Sequence, residues 1–178
     1  MIRSTVARLI IRNTALVSTG VLAGAFTYAR IAVSPTFRAV PMDVHLTFRV
    51  ALMAMNAPFM QALMGLGAVT SIAFAFASDG RARIVAALAG LSALTSLLVT
   101  RFGNVPINER IKTWHIGSLP ANYEAQLNRW ETFHDIRTVA AVLAFILLLT
   151  AVELANRGAR AGVAALSSER NVLENATN

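Results

Sequence analysis

His134 and Arg137 stand one helical turn apart in the run Trp130-Glu-Thr-Phe-His-Asp-Ile-Arg137. The apolar positions around them recur at helical spacing. An imidazole and a guanidinium on such a stripe are costly to bury unless partnered. As a pair they suit proton abstraction by the histidine and anion stabilisation by the arginine. Trp130, one turn earlier, offers a flat wall for an aromatic ligand. Upstream, Arg101-Phe-Gly-Asn-Val-Pro-Ile-Asn108 supplies Asn104, Asn108 and Arg101. Beside a helix break these can line a cavity at membrane depth, where irregular backbone is tolerated only next to protein or trapped water. A purely structural reading stands beside each of these. The asparagines can satisfy helix-end carbonyls, Arg137 can pair with Asp43 or Glu109, and His134 can bond to backbone.

The elements that must position these groups follow from the spacing of charge. Of 178 residues, 56% are hydrophobic and only 14% charged. Uncharged stretches run between Arg12 and Arg30, Arg49 and Asp79, Arg83 and Arg101, and Arg137 and Glu153. A spanning helix needs about 17–25 mostly apolar residues. The expectation is an all-α bundle of four transmembrane helices, roughly 13–31, 57–77, 84–102 and 138–155. A helical extramembrane insert joins spans three and four. Residues 1–156 form one membrane domain and 157–178 a polar tail, frayed from Ser167 onward. The first span has no convincing cleavage site and reads as retained.

Glycines 20 and 24 share a face of the first span, where small residues let helices approach. Pro35 and Pro41 predict a loop over Val33–Asp43. Asn56-Ala-Pro58 either caps a new helix or kinks one longer helix. Pro106 predicts that the third helix stops near Gly103, because a residue before proline is pushed out of α geometry. Ser118-Leu-Pro120 looks like the next helix start, with an unbroken pattern to Ala155 on the order of 50 Å long. On that helix Tyr123, Leu127, Trp130, His134, Arg137 and Ala141 form the inward stripe. Glu124, Asn128, Glu131 and Asp135 form a second stripe, read as the wet face.

The net charge of +7 does not indicate nucleic acid, because the arginines are spread over helix ends and loops. They read as membrane anchors. Eight basic residues fall on each side of a four-span chain. The short Asp79–Arg83 turn and the N-terminus weigh more, so both termini are expected in the cytoplasm, in a bacterial inner membrane. Without cysteine, disulfides and thiol chemistry are excluded. A metal held by His45, His115 and His134, with Asp135 or Asp43, is an alternative, though no close-spaced histidine pair supports it. No cofactor is assigned, whether metal or flavin. The partners expected are the bilayer and a hydrophobic small molecule, with an oligomer left open.

Asn104-Val-Pro-Ile-Asn108, then Leu119-Pro120 and Arg129-Trp-Glu-Thr-Phe-His-Asp-Ile-Arg-Thr138, together resemble the DUF1772 (anthrone oxygenase-like) family of small four-helix membrane proteins. Gly20-Val-Leu-Ala-Gly24-Ala-Phe26, running on to Ser34-Pro35, is similar to it as well. The likeness covers most of residues 15–155. It departs at Asn56-Ala-Pro-Phe-Met60, where a tighter Asn-Pro-x-Phe-Met is expected. The resemblance implies a membrane oxygenase that converts an anthrone to an anthraquinone with molecular oxygen. His134 would then be the base, and Arg137, Asn104 and Asn108 would stabilise the oxyanion. Trp130 and Phe133 would hold the planar rings, with Tyr123 and Arg101 completing the substrate site. The alternative is a non-enzymatic scaffold or small-molecule carrier whose polar cluster is structural.

Overall fold

A computed structural model describes residues 2–176. Helix α1 (Ile2–Tyr28) passes through a π-bulge at Ala29–Val33 into α2 (Ser34–Ala39). Helix α3 spans Met42–Phe76 and α4 spans Gly80–Val99. A second π-bulge at Thr100–Asn104 leads into α5 (Val105–Ile111), and α6 runs Tyr123–Ala176. There are no strands among the described residues. Four helical stretches are long and apolar enough to cross a membrane, namely Thr5–Ala39, Met42–Phe76, Gly80–Ile111 and Tyr123–Ser168. Large apolar side chains also cover the outside of the bundle, among them Val69, Phe76, Leu91, Val139 and Ile146. This is the surface of an integral membrane protein.

The helices close a ring, with α1 on α3 and α6, and α4 on α3 and α6. Small residues bring the backbones together. Ala68, Ala93 and Ala144 meet where three helices converge, and a Cβ on Gly90 would lie 2.8 Å from Ile72. Of the glycine pair in α1, only Gly20 packs, against Phe145; Gly24 faces open space. Hydroxyls inside the helices donate to carbonyls one turn back, as Thr19 does to Ala15 and Ser78 to Phe74, and so need no water.

Proline acts differently from the sequence expectation. Val33–Asp43 is not a loop; the chain stays helical to Ala39 and turns only at Val40–Pro41. Nor does the third helix stop at Gly103. It widens into the π-bulge and continues to Ile111. In a regular α-helix a proline ring collides with the carbonyl four residues back. Pro35 and Pro106 each sit in the first turn after a π-bulge. There the bonds run five residues back, from Ser34 N–H to Ala29 O and from Val105 N–H to Thr100 O. The wider turn makes room for the ring. Pro58 lies inside one continuous α3, so the single-helix reading of Asn56–Pro58 holds, with Asn56 exposed.

Helix α6 begins at Tyr123, whose N–H reaches back to Pro120 O, rather than at Ser118. It does not stop at Ala155. Its 54 residues extend on the order of 80 Å, through most of the stretch expected to fray; Thr177 and Asn178 lie outside the described residues. The insert before it is anchored by Ile107, Ile111 and Trp114, buried with Leu46 of α3.

Gly103 is a packing notch. A Cβ there would lie 2.6 Å from Phe133 Cγ, at the root of the ring. Gly103→Ala is therefore expected to destabilise the protein by about 1–3 kcal/mol through overpacking, despite alanine's better helix propensity. A lowered Tm in detergent, partly restored by adding Phe133→Ala, would verify the notch.

Candidate functional site

The two π-bulges face each other across one stretch of α6. The first presents Arg30, which forms an ion pair with Asp135. One turn further, Arg38 of α2 grips Glu131 at 2.8 and 2.7 Å and also reaches Asn128. Asp135 and Glu131 therefore do not form a purely wet face. They clamp the α1–α2 arm to α6, and their opposite faces are turned to the cluster described next.

The second bulge holds Trp130, His134 and Arg137 by their main chain and side chains. Asn104 Nδ2 donates to Trp130 O at 2.9 Å. Trp130 Nε1 donates to Asn108 Oδ1 at 2.6 Å. Ser96 Oγ donates to Arg137 O at 3.0 Å, and Thr138 Oγ1 to His134 O at 2.6 Å. The Asn-Val-Pro-Ile-Asn run thus works as a clamp on Trp130. This changes the roles expected of the asparagines. The Asn104 amide N–H is spent on a carbonyl, leaving its buried Oδ1 unpartnered; an acceptor cannot stabilise an oxyanion. The Asn108 oxygen is likewise occupied by the indole.

His134 is fully buried. Arg137 Nε donates to His134 Nδ1 at 2.9 Å, and because arginine has no acceptor, that nitrogen must be the bare one. The neutral ring therefore carries its proton on Nε2, which is buried and has no partner. A nitrogen already bearing hydrogen is a donor, so in this arrangement His134 polarises an oxygen rather than removing a proton. Neutral imidazoles serve as electrophiles in this way elsewhere. The backbone bond expected of a structural histidine here belongs instead to His45, which meets the Phe37 main chain.

The cations are unusual. Arg137 has Thr100 Oγ1 at 3.5 Å as its other acceptor and lies 4.4 Å from the Phe26 ring. Arg49, which the sequence reading passed over, is 4% exposed. Its Nη1 lies 3.3 Å from His45 Nε2, while its Nε and Nη2 have no partner. No carboxylate pairs with either arginine among the described residues, so the Arg137–Asp43 or Arg137–Glu109 pair is not formed. Aromatic faces take that place. Trp130 carries Arg49 at 4.2 Å and Arg137 at 5.4 Å, and His134 stacks on it at 5.0 Å. Trp130 is therefore not a free wall for a ligand; it supports cations. Arg49 left one signal in the sequence, as the only charge between Asp43 and Asp79.

The remaining expected residues disperse. Phe133 packs into the Gly103 notch and under Arg129. Tyr123 OH donates outward to Glu124. Arg101 is exposed, away from any cavity. His115 is exposed in the turn after α5, and His45 stacks on Phe37 at 5.2 Å. Among the described residues no three His, Cys, Asp or Glu side chains form a group that could hold a metal. The His45, His115 and His134 set is thus not a ligand set.

No curated protein and no solved structure matches the chain. A family model described as anthrone oxygenase matches residues 45–147. That stretch runs from His45 through Arg49, the second bulge and the whole Trp130–Arg137 stripe, but leaves out Arg30, Arg38 and Phe26. It is more than half of the 178 residues, and the chain belongs to the anthrone oxygenase family.

Proposed function

We propose that the protein is a membrane-embedded oxygenase acting with O2 on a hydrophobic aromatic ketone of the anthrone or quinone type. One observation carries the reading: His134 is fully buried, with an unpartnered Nε2–H, and is held in that state by Arg137, a cation with no carboxylate. A scaffold of this composition gains nothing from such a group, since burying a donor without an acceptor costs roughly 1–3 kcal/mol. An anthrone-type ketone gives it work. The ketone oxygen accepts from His134 Nε2–H, and charge that develops on it is stabilised by the Arg137 guanidinium.

That stabilisation acidifies the C–H across the ring, whose proton leaves to water. The electron-rich carbon then forms a C–O bond to O2. The peroxide takes a proton, and loss of water with the remaining hydrogen leaves a second carbonyl. One O2 is consumed and one H2O formed. Asn104 Oδ1, the unpartnered acceptor, suits a ring hydroxyl. Oxygen uptake by purified protein supplied with an anthrone tests the reading. No uptake above that of empty membranes would favour the alternative, a scaffold or small-molecule carrier with a structural cluster.

We also propose a bacterial inner-membrane location with both termini cytoplasmic. The loop side then holds Arg30, Arg38, Arg49, Arg101, Arg110, Lys112, Arg129 and Arg137, offset by five acids. A reporter that functions only in the cytoplasm, fused after Asn178, is expected to be active; activity of a periplasm-only reporter there would reverse the topology.

A further inference from the structure

The buried cation that this mechanism leaves unused is Arg49. Its guanidinium and that of Arg137 carry five N–H donors each. Their acceptors among the described residues are His45 Nε2, His134 Nδ1 and Thr100 Oγ1. Glu131 and Asp135, the nearby acids of α6, are already taken by Arg38 and Arg30. A desolvated cation without an anion is costly, even against aromatic faces.

Beside Arg49 a groove of about 340 Å³ opens between the α1–α2 arm and the first turns of α3. It is lined by Tyr28, Ala32, Val33, Phe37, Val44 and Phe48. Its size is within the usual range for a small-molecule site. Three of these residues are aromatic, and Tyr28, Val44 and Phe48 are exposed on the apolar outside of the bundle. Phe37 forms the inner wall. Its ring stacks on His45 at 5.2 Å and lies 5.7 Å from the Arg49 guanidinium carbon, so one side chain separates the groove from the unpaired donors. Phe37 sits on α2, a short helix ended by Val40–Pro41.

We infer that this groove seats the rings of a planar aromatic ligand arriving from the bilayer. Arg49 takes an anionic oxygen at the ligand's inner edge once Phe37 turns aside. The aromatic character of the ligand rests on the function proposed above. The charge rests on Arg49 alone. A lipid chain would fill the groove but leave Nε and Nη2 unpaired, and a small inorganic anion would gain nothing from the apolar lining.

The test is binding, without turnover, to protein in phosphatidylcholine nanodiscs. Trp114→Phe leaves Trp130, 4.2 Å from the Arg49 guanidinium, as the sole tryptophan reporter. The probes are anthraquinone-2-carboxylate and uncharged anthraquinone, with protein-free nanodiscs as the blank. The parent is expected to bind the carboxylate roughly tenfold or more tightly than its neutral counterpart, as a charge-assisted hydrogen bond would give. Arg49→Gln should bind both alike, and Arg49→Lys should keep part of the preference. Val44→Trp fills the groove from its exposed side and should weaken both probes. The inference is overturned if folded Arg49→Gln retains the preference, or if Val44→Trp binds like the parent; should Arg49→Gln not fold, Val44→Trp and Arg49→Lys decide. Absent oxygen uptake in a protein that binds as described would remove the oxygenase reading alone. Charge-indifferent binding in an active protein would remove this one alone.

Discussion

Arg137→Met is expected to abolish most oxygen uptake while leaving the bundle as stable as the parent, or more so. The guanidinium is desolvated and without a carboxylate, held by Phe26, Trp130, His134 and Thr100. Exchanging a poorly compensated buried charge for an apolar side chain of similar volume is often neutral or stabilising. Against that, His134 Nδ1 loses its donor, at a cost of about 1–3 kcal/mol, which a change of tautomer can relieve. Removal of one preorganised group that stabilises developing charge lowers kcat by about 10²–10³. The pair of readings separates function from architecture. Lost activity with an unchanged or raised Tm identifies a group retained for chemistry at the expense of stability. A Tm lowered in step with activity would mean that Arg137 holds the helices together and that the oxygenase assignment loses its main support.

His134 offers a second large effect, with a comparison that reports its role. His134→Ala removes the unpartnered donor and is expected to lower anthrone-dependent oxygen uptake by about 10²–10³. His134→Gln supplies an amide N–H but no titratable base. If the histidine acts as a donor, as its bond from Arg137 Nε dictates, glutamine should retain clearly more activity than alanine. Equal loss in both would return His134 to the role of general base, with the tautomer reversed during turnover. Undiminished activity in His134→Ala would sink the site altogether.

The bundle was legible because a membrane span announces itself by what it lacks, and charge is sparse between Arg12 and Arg30, Arg49 and Asp79, and Arg83 and Arg101. The stripe of Trp130, His134 and Arg137 was legible from helical spacing alone, and it is where the buried polar groups gather. The prolines misled. Pro35 and Pro106 end α geometry, but they do not end the helix when the preceding turn can widen to five-residue bonds, and nothing local in the sequence separates the two outcomes. The wet face misled for a different reason. Glu131 and Asp135 have the composition of solvated positions, and only the arm that returns over them, carrying Arg30 and Arg38, supplies the countercharges. Arg49 was overlooked because it lies some eighty residues before the stripe it faces; its partner is the face of Trp130, which no spacing rule connects to it. The direction of each hydrogen bond was also out of reach. Asn104 looked like a donor to an anion until its amide proved to be committed to Trp130 O.

The two widened turns have a consequence for how this chain tolerates change in length. Each carries one residue more than a regular α-helix would need, and that surplus sets the angular phase of everything after it. Deleting a single residue within Thr100–Asn104 would let the turn close to ordinary α geometry and swing Asn108 by about 100°, away from the indole it holds. Point substitutions across the bulge would leave that phase intact. At this site a frameshift of one codon triplet, silent in composition and hydropathy, would do more harm than most exchanges of side chain.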